Sequence, residues 1–205
     1  ATTAGDGAAV ITVTTAAKVA QAKMIVDATS GTVVFSAGIT DNILAMVDGN
    51  NVVIGDFADA TNSQTGDGDT LVTVNNKVTV AQANVIAANT SGTMVFTTGI
   101  EDVVASLVHA DGTKKHDDLG TITVRTSDVI IKVTDDVTVT EANIIAAATT
   151  GLVTFAGGIT DNISAMVDGN NATVGFAAAT NELDAGGSTV TTEGDGDTLV
   201  TVNDK

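Results

Sequence analysis

Apolar positions along this chain fall into two rhythms that follow each other. In Thr70-Leu71-Val72-Thr73-Val74 the β-branched residues alternate as in a strand. Thr79-Val80-Ala81-Gln82 and Thr138-Val139-Thr140-Glu141 then match a capping box, in which the Thr side chain and the Gln or Glu three residues on satisfy the exposed amides of a helix start. The Ala-rich stretch that follows, about 80–89, predicts a short helix ending at Gly92, with its counterparts ending at Gly31 and Gly151. Glycine there is expected to take the left-handed conformation that closes a helix. Lys18 replaces the capping Thr in the first such segment, so that helix start is weaker. Thr32-Val33-Val34-Phe35, Thr93-Met94-Val95-Phe96 and Leu152-Val153-Thr154-Phe155 read as buried strands, each with one Phe. Asp41, Glu101 with Asp102, and Asp161 then head a second short helix, where the helix dipole favours negative charge. That helix is expected to stop at Asp48-Gly49, Asp111-Gly112 and Asp168-Gly169. A strand-like piece, Val52-Val53-Ile54 or Thr173-Val174-Gly175-Phe176, precedes a polar loop.

The sequence also repeats itself. Gly5–Val13 aligns with Gly66–Val74 at an offset of 61, and Ala20–Lys23, Ser30–Thr32 and Ile39 continue the match without a gap. A further copy follows at an offset of 59, with Thr140–Asn143 on the Ala81 segment and Ile159 on Ile100. The units are 5–65, 66–124 and 125–193. Residues 39–51 and 159–171 are nearly the same peptide, whereas unit two diverges there. Gly194–Lys205 repeats Gly66–Lys77 with one change, Asp204 for Asn76, at an offset of 128. The segment 194–205 therefore reads as the start of a fourth unit or as an inter-subunit strand. The pattern is expected to continue beyond residue 205, in a longer chain or in an assembly.

Strand, helix, strand, helix and strand within units of about 60 residues predict an α/β repeat protein, a strand-rich solenoid with short helices and Phe35, Phe96 and Phe155 in its core. The alternative is an all-β solenoid in which the Ala-rich segments are coils.

Composition narrows the function. Eight basic against 25 acidic residues give a net charge of −17, which repels phosphate backbones and anionic lipid surfaces, so neither nucleic acid nor membrane insertion is expected. With no Cys there are no disulfides and no thiolate metal sites. No run approaches the ~18 apolar residues of a membrane span. Ala1–Gly5 lacks both an initiator Met and a signal pattern, so the chain is expected to be processed or part of something longer.

Candidate chemistry is sparse. The Gly-Asp-Gly-Asp turns place Asp67 and Asp69, and again Asp195 and Asp197, among backbone carbonyls, the hard oxygen donors that Ca²⁺ takes. The plainer reading is a solvated turn. His109 and His116 lie near Ser106, Asp111, Asp117 and Asp118, but there is no Gly-x-Ser-x-Gly elbow and the other units have no counterpart, so no catalytic residue and no enzyme is expected. Lys114-Lys115 reads as a solubility feature or a contact with a neighbour's acidic face.

The Gly66–Asp69 turn and Asp69-Thr70-Leu71 resemble the Gly- and Asp-rich repeats of the RTX family of secreted bacterial proteins, which implies Ca²⁺ at Asp67, Asp69, Asp195 and Asp197. Each turn is one residue shorter than that pattern and does not recur every nine. Thr79–Asn84, Thr138–Asn143 and the Thr-Gly-strand that follows resemble the Thr/Ala-rich repeats of large secreted bacterial surface proteins: adhesins, surface-layer and extracellular-matrix components. The resemblance implies an extracellular, cell-surface structural protein that assembles end to end into a filament, sheath or lattice, with itself as partner. An adhesin segment that binds a surface ligand through residues 109–118 is the alternative. The strand Thr198, Leu199, Val200, Thr201 and Val202 is expected to pair with a neighbouring copy or the next unit by strand addition.

Overall fold

The computed structural model describes residues 9–62, 66–169, 171–172, 176 and 199–203 of the 205-residue chain. It is a mixed α/β structure of short helices and small sheets, with no closed barrel among the described residues. The chain divides into two compact bodies, Ala1–Thr98 and Gly99–Lys205.

In the first body, β1 (Ile11–Val13) leads through α1 (Val19–Asp27) to β2 (Val33–Phe35), and the two strands pair in parallel. The chain turns directly into β3 (Ile39–Asp41), passes a single 3-10 turn at Ile43–Ala45 and α2 (Gly55–Ala60), and enters β4 (Val72–Val74). Through α3 (Val80–Asn89) it then reaches β5 (Met94–Phe96). β4 is the centre of a parallel sheet, with Ile39 opposite Val72 on one side and Val72 opposite Met94 on the other.

The second body starts with β6 (Ile100–Asp102), α4 (Val104–Leu107) and α5 (Asp117–Arg125). β7 (Ile131–Val133), α6 (Val139–Ala146) and β8 (Val153–Phe155) follow, and β7 lies between β6 and β8 in a second three-stranded parallel sheet. β9 (Ile159–Asp161), α7 (Ile163–Met166) and the small hairpin of β10 (Val167–Asp168) and β11 (Asn171–Ala172) come next. β12 (Val200–Val202) pairs in parallel with β9.

The bodies do not follow the sequence units, and the reason lies in the pairing. The strand after each recurrent Phe does not join the two strands before it; it crosses to the first strand of the following segment, as β3 does with β4 and β6 with β7. The turn that redirects it needs a left-handed residue, supplied by Gly38 at φ 80° and Gly158 at φ 97°. The cross-strand register also recurs. Val13 faces Phe35, Val74 faces Phe96 and Val133 faces Phe155, and all three Phe rings are buried.

The Ala-rich segments are helices, so the all-β alternative does not hold. Thr79 and Thr138 each accept the amide three residues on, and the Gln82 and Glu141 side chains accept the Thr79 and Thr138 amides in return. At Lys18 only half of this survives: Gln21 accepts the Lys18 amide, but an ammonium has no lone pair to offer the helix. Asp41 compensates from β3, where its carboxylate accepts the Val19 amide at 3.2 Å; Asp161 serves Val139 in the same way. These aspartates end strands, cap an earlier helix with one oxygen, and with the other accept the Asn42 or Asn162 amide just ahead of the next helix. The amides that open the next helices, at Ile43 and Val104, go to Asn76 and Asp135.

Three expectations fail locally. The second short helices end at Ala45, Leu107 and Met166, ahead of the Asp-Gly pairs at which they were expected to stop. Gly92 and Gly151, like Gly31, are not left-handed. They are glycine because a Cβ would come within 2.1 Å of the Thr70 carbonyl oxygen and 2.3 Å of the Asp128 carbonyl oxygen, respectively. Val52–Ile54 makes only an isolated bridge, Val53 to Val47, and the polar loop expected after it begins with α2, whose Phe57 is fully buried.

Candidate functional site

Three regions could carry chemistry or recognition: the Gly66–Asp69 turn, the 109–118 segment and the free edge of β1.

The Gly66–Asp69 turn brings Asp67 and Asp69 together, and some of its oxygens already accept hydrogen bonds from the fold. Asp67 is buried, and its carboxylate accepts the Phe35 amide at 2.6 Å while the Thr70 hydroxyl donates to the Phe35 carbonyl. The Gly68 carbonyl accepts from the Ser91 amide and from the Thr90 and Ser91 hydroxyls. Burial raises the Asp67 carboxyl above its ordinary range, and the Asp69 side chain pushes it further. The turn lines a shallow groove of about 280 Å³ with Thr32, Val33, Val34 and Ser91. Ca²⁺ takes six to eight oxygens; here two carboxylates converge, one of them spent on Phe35. The geometry therefore fits a clamp that closes the outer edge of β2 better than a cation site. Among the described residues no group of three or more His, Asp or Glu side chains is placed to hold a metal ion. Asp195, Asp197 and Thr198 lie outside the described residues.

The same latch recurs without the buried acid: Thr126 stands in the place of Asp67, whereas Asp128 keeps that of Asp69. The Thr149 hydroxyl donates to the Ser127 and Val129 carbonyls, and the Thr150 amide to Ser127, as Thr90 and Ser91 do to Gly68 and Thr70. The Thr-Ser-Gly or Thr-Thr-Gly triplet after each Ala-rich helix was the sequence signal for it.

In the 109–118 segment, Val108 and Lys115 form the neck of a hairpin, and His109 and His116 stack with ring centroids 5.0 Å apart. His109 Nε2 lies 3.3 Å from Asp117, and Lys114 Nζ lies 3.4 Å from the same carboxylate oxygen. The two together, His109 first, hold Asp117 below the usual carboxylate range. His116 Nδ1 accepts the Asp118 amide and so caps α5. Asp111 is held low chiefly by the Thr113 amide and hydroxyl, and Lys115 reaches Thr123. His116 thus caps a helix, whereas the buried His109 Nε2 lies beside Asp117 without a hydrogen bond, and Ser106 lies on α4. The acidic start and basic end of α5, with Leu119 and Ile122 buried, are helix signals that the sequence carries and that no expectation above used.

The third region was not found from sequence. In β1 the Ile11 amide and the Val13 carbonyl are used on β2. Alternate backbone groups of a strand face opposite edges, so Thr12 presents its amide and carbonyl outward. Among the described residues no strand pairs with that edge. Beside it, Ile11, Val13, Ala17, Met24 and Ile25 line an apolar groove of about 580 Å³ between β1 and α1. The sequence repeat pairs Ile11, Val13 and Ile25 with Val72, Val74 and Ile86, and with Ile131, Val133 and Ile145. Those six are fully buried, whereas Ile11, Val13 and Ile25 are partly exposed.

The class these features define is a mixed α/β protein of small parallel sheets, in which, among the described residues, no helix is long and apolar enough to cross a membrane. No protein-family model, curated protein or solved structure matches the chain.

Proposed function

We propose that this chain is an extracellular structural repeat protein whose copies associate end to end through the uncovered face of β1 and α1. One observation carries the reading. Three apolar positions that are dry wherever β3 or β6 covers the neighbouring strand are wet at β1, on which no such strand lies among the described residues. An open parallel edge with an apolar groove beside it is an association surface unless something blunts it, and β1 carries no Lys and no bulge to do so. The tandem repetition of the sequence supports the same reading, since each unit supplies the surface that its neighbour needs. A small-residue chain with a net charge of −17 stays dispersed until salt screens the repulsion between copies.

Sedimentation velocity of the full chain across a range of concentrations, at low and high salt, tests this. Species above monomer are expected to grow with both variables and to be lost in Ile11→Asp, with fibres or lattices visible by electron microscopy at the upper end. A monomer under all conditions overturns the proposal.

A further inference from the structure

We infer that β12 is an intramolecular placeholder on β9, and that β1 of a second copy replaces it there when copies associate. The inference rests on the self-association reading above and specifies its joint.

β12 and β4 share the peptide Leu-Val-Thr-Val-Asn, at 199–203 and 71–75, and β9 and β3 share Ile-Thr-Asp, at 159–161 and 39–41. Their pairing is also the same: Ile159 faces Val200 as Ile39 faces Val72, and the Ile159 amide donates to Leu199 as the Ile39 amide donates to Leu71. The fold therefore treats β12 as the first strand of a segment. It differs in what it brings. β4 continues through α3 to β5, and Val72 and Val74 are 0% exposed. β12 is bound along one edge, and Val200 and Val202 are 37% and 49% exposed.

β1 is the complementary half. It already carries its helix and second strand, and among the described residues no strand of the β3 or β9 type lies on its other edge. Laying β9 of one copy on β1 of another, with Ile159 opposite Ile11, Thr160 opposite Thr12 and Asp161 opposite Val13, reproduces the three-stranded order of β3, β4 and β5. Both strands satisfy the backbone of β9 equally, so the difference between them is the apolar surface that each covers. Exchange covers Ile11 and Val13, which β12 cannot do. The occupant is therefore a second copy of this chain, and the closed form limits uncontrolled growth, because every β9 must first release its own strand.

The chain has no Cys, so introduced thiols report cleanly. Thr160 and Thr201 are in-register partners on neighbouring strands, within the Cα separation a disulfide needs. Oxidised Thr160→Cys/Thr201→Cys protein is expected to lose every species above monomer and to regain them on reduction. Equal association of the oxidised and reduced forms overturns the exchange while leaving self-association standing; a reduced form that never associates overturns both. Single variants Thr12→Cys and Thr160→Cys, mixed and oxidised, are expected to give a mixed disulfide dimer that neither gives alone, and failure to form it under associating conditions overturns the register. Deleting 199–205 is expected to lower the concentration needed for assembly; a deletion that raises it makes β12 itself the joint and overturns the placeholder.

Discussion

β1 and β4 are built from the same local pattern, each followed by a short helix and a parallel partner, yet one is an edge and the other a sheet centre. Around β4 the strand β3 covers the free backbone groups, and Val72, Val74 and Ile86 are completely buried. Around β1 the corresponding Ile11, Val13 and Ile25 keep contact with solvent. The other side of the β1–β2 sheet is not left open: Asp67 and Thr70 hold the outward amide and carbonyl of Phe35. One edge of that sheet is closed by side chains, and no strand among the described residues covers the other; this asymmetry gives the association proposal its direction.

The comparison breaks most visibly in the core. Ile86→Ala empties a fully buried site on α3 and should cost about 2–5 kcal/mol, whereas Ile25→Ala, at the matching position on α1, should cost less than about 1 kcal/mol in the monomer. Urea melts at low protein concentration measure both. Equal losses would mean that the β1 face is covered in solution. Under associating conditions the Ile25 variant should instead weaken assembly.

Gly92→Ala should cost about 1–3 kcal/mol, because the new Cβ meets the Asp69 and Thr70 carbonyl oxygens at 2.3 and 2.1 Å and the backbone must move. Gly112 has open space around it, so Gly112→Ala carries only the penalty of its left-handed φ of 65°, about 1 kcal/mol. Thermal melts of the pair separate close approach from backbone conformation.

A smaller effect sharpens the contrast between the helices themselves. Thr79 caps α3 with its side chain, and Lys18 cannot do so for α1. Lys18→Thr should therefore stabilise the protein by about 0.5–1 kcal/mol, and Thr79→Ala should destabilise it by about the same amount. A neutral Lys18→Thr would mean that loss of the Lys18–Asp41 ion pair offsets the new hydrogen bond from the Gln21 amide.

These contrasts also mark what the sequence discloses. The capping boxes named α3 and α6, and the β-branched runs named the strands, because both signals are local. The partner of each strand was not legible, since nothing in Ile39–Asp41 says that it pairs with Val72–Val74 rather than with Val33–Phe35; Gly38 and its left-handed turn decide that. α2 was missed because six residues with a single large apolar side chain, Phe57, show no period. The groove on β1 was invisible for a further reason: in sequence Ile11 and Val72 look alike, and only the pairing makes one wet and the other dry.

The smallest effect concerns the closed edge. Asp67 is raised above its ordinary carboxylate range by burial and by Asp69, so the folded state holds that proton more tightly than the unfolded chain does. Stability from this group is then fully present below the unfolded carboxylate value and is lost as pH rises through the raised folded value. Asp67→Asn keeps an oxygen for the Phe35 amide and offers Asp69 a permanent donor, without the cost of a buried charge. The variant should be as stable as the parent, or slightly more so, at neutral pH, and its denaturant midpoint should fall less between acid and neutral pH. If Asp67 instead belonged to a Ca²⁺ site, added Ca²⁺ would raise the melting temperature of the parent and not of the variant. The clamp reading expects the same response from both, so melts with Ca²⁺ and with chelator decide what the Gly66–Asp69 turn is for.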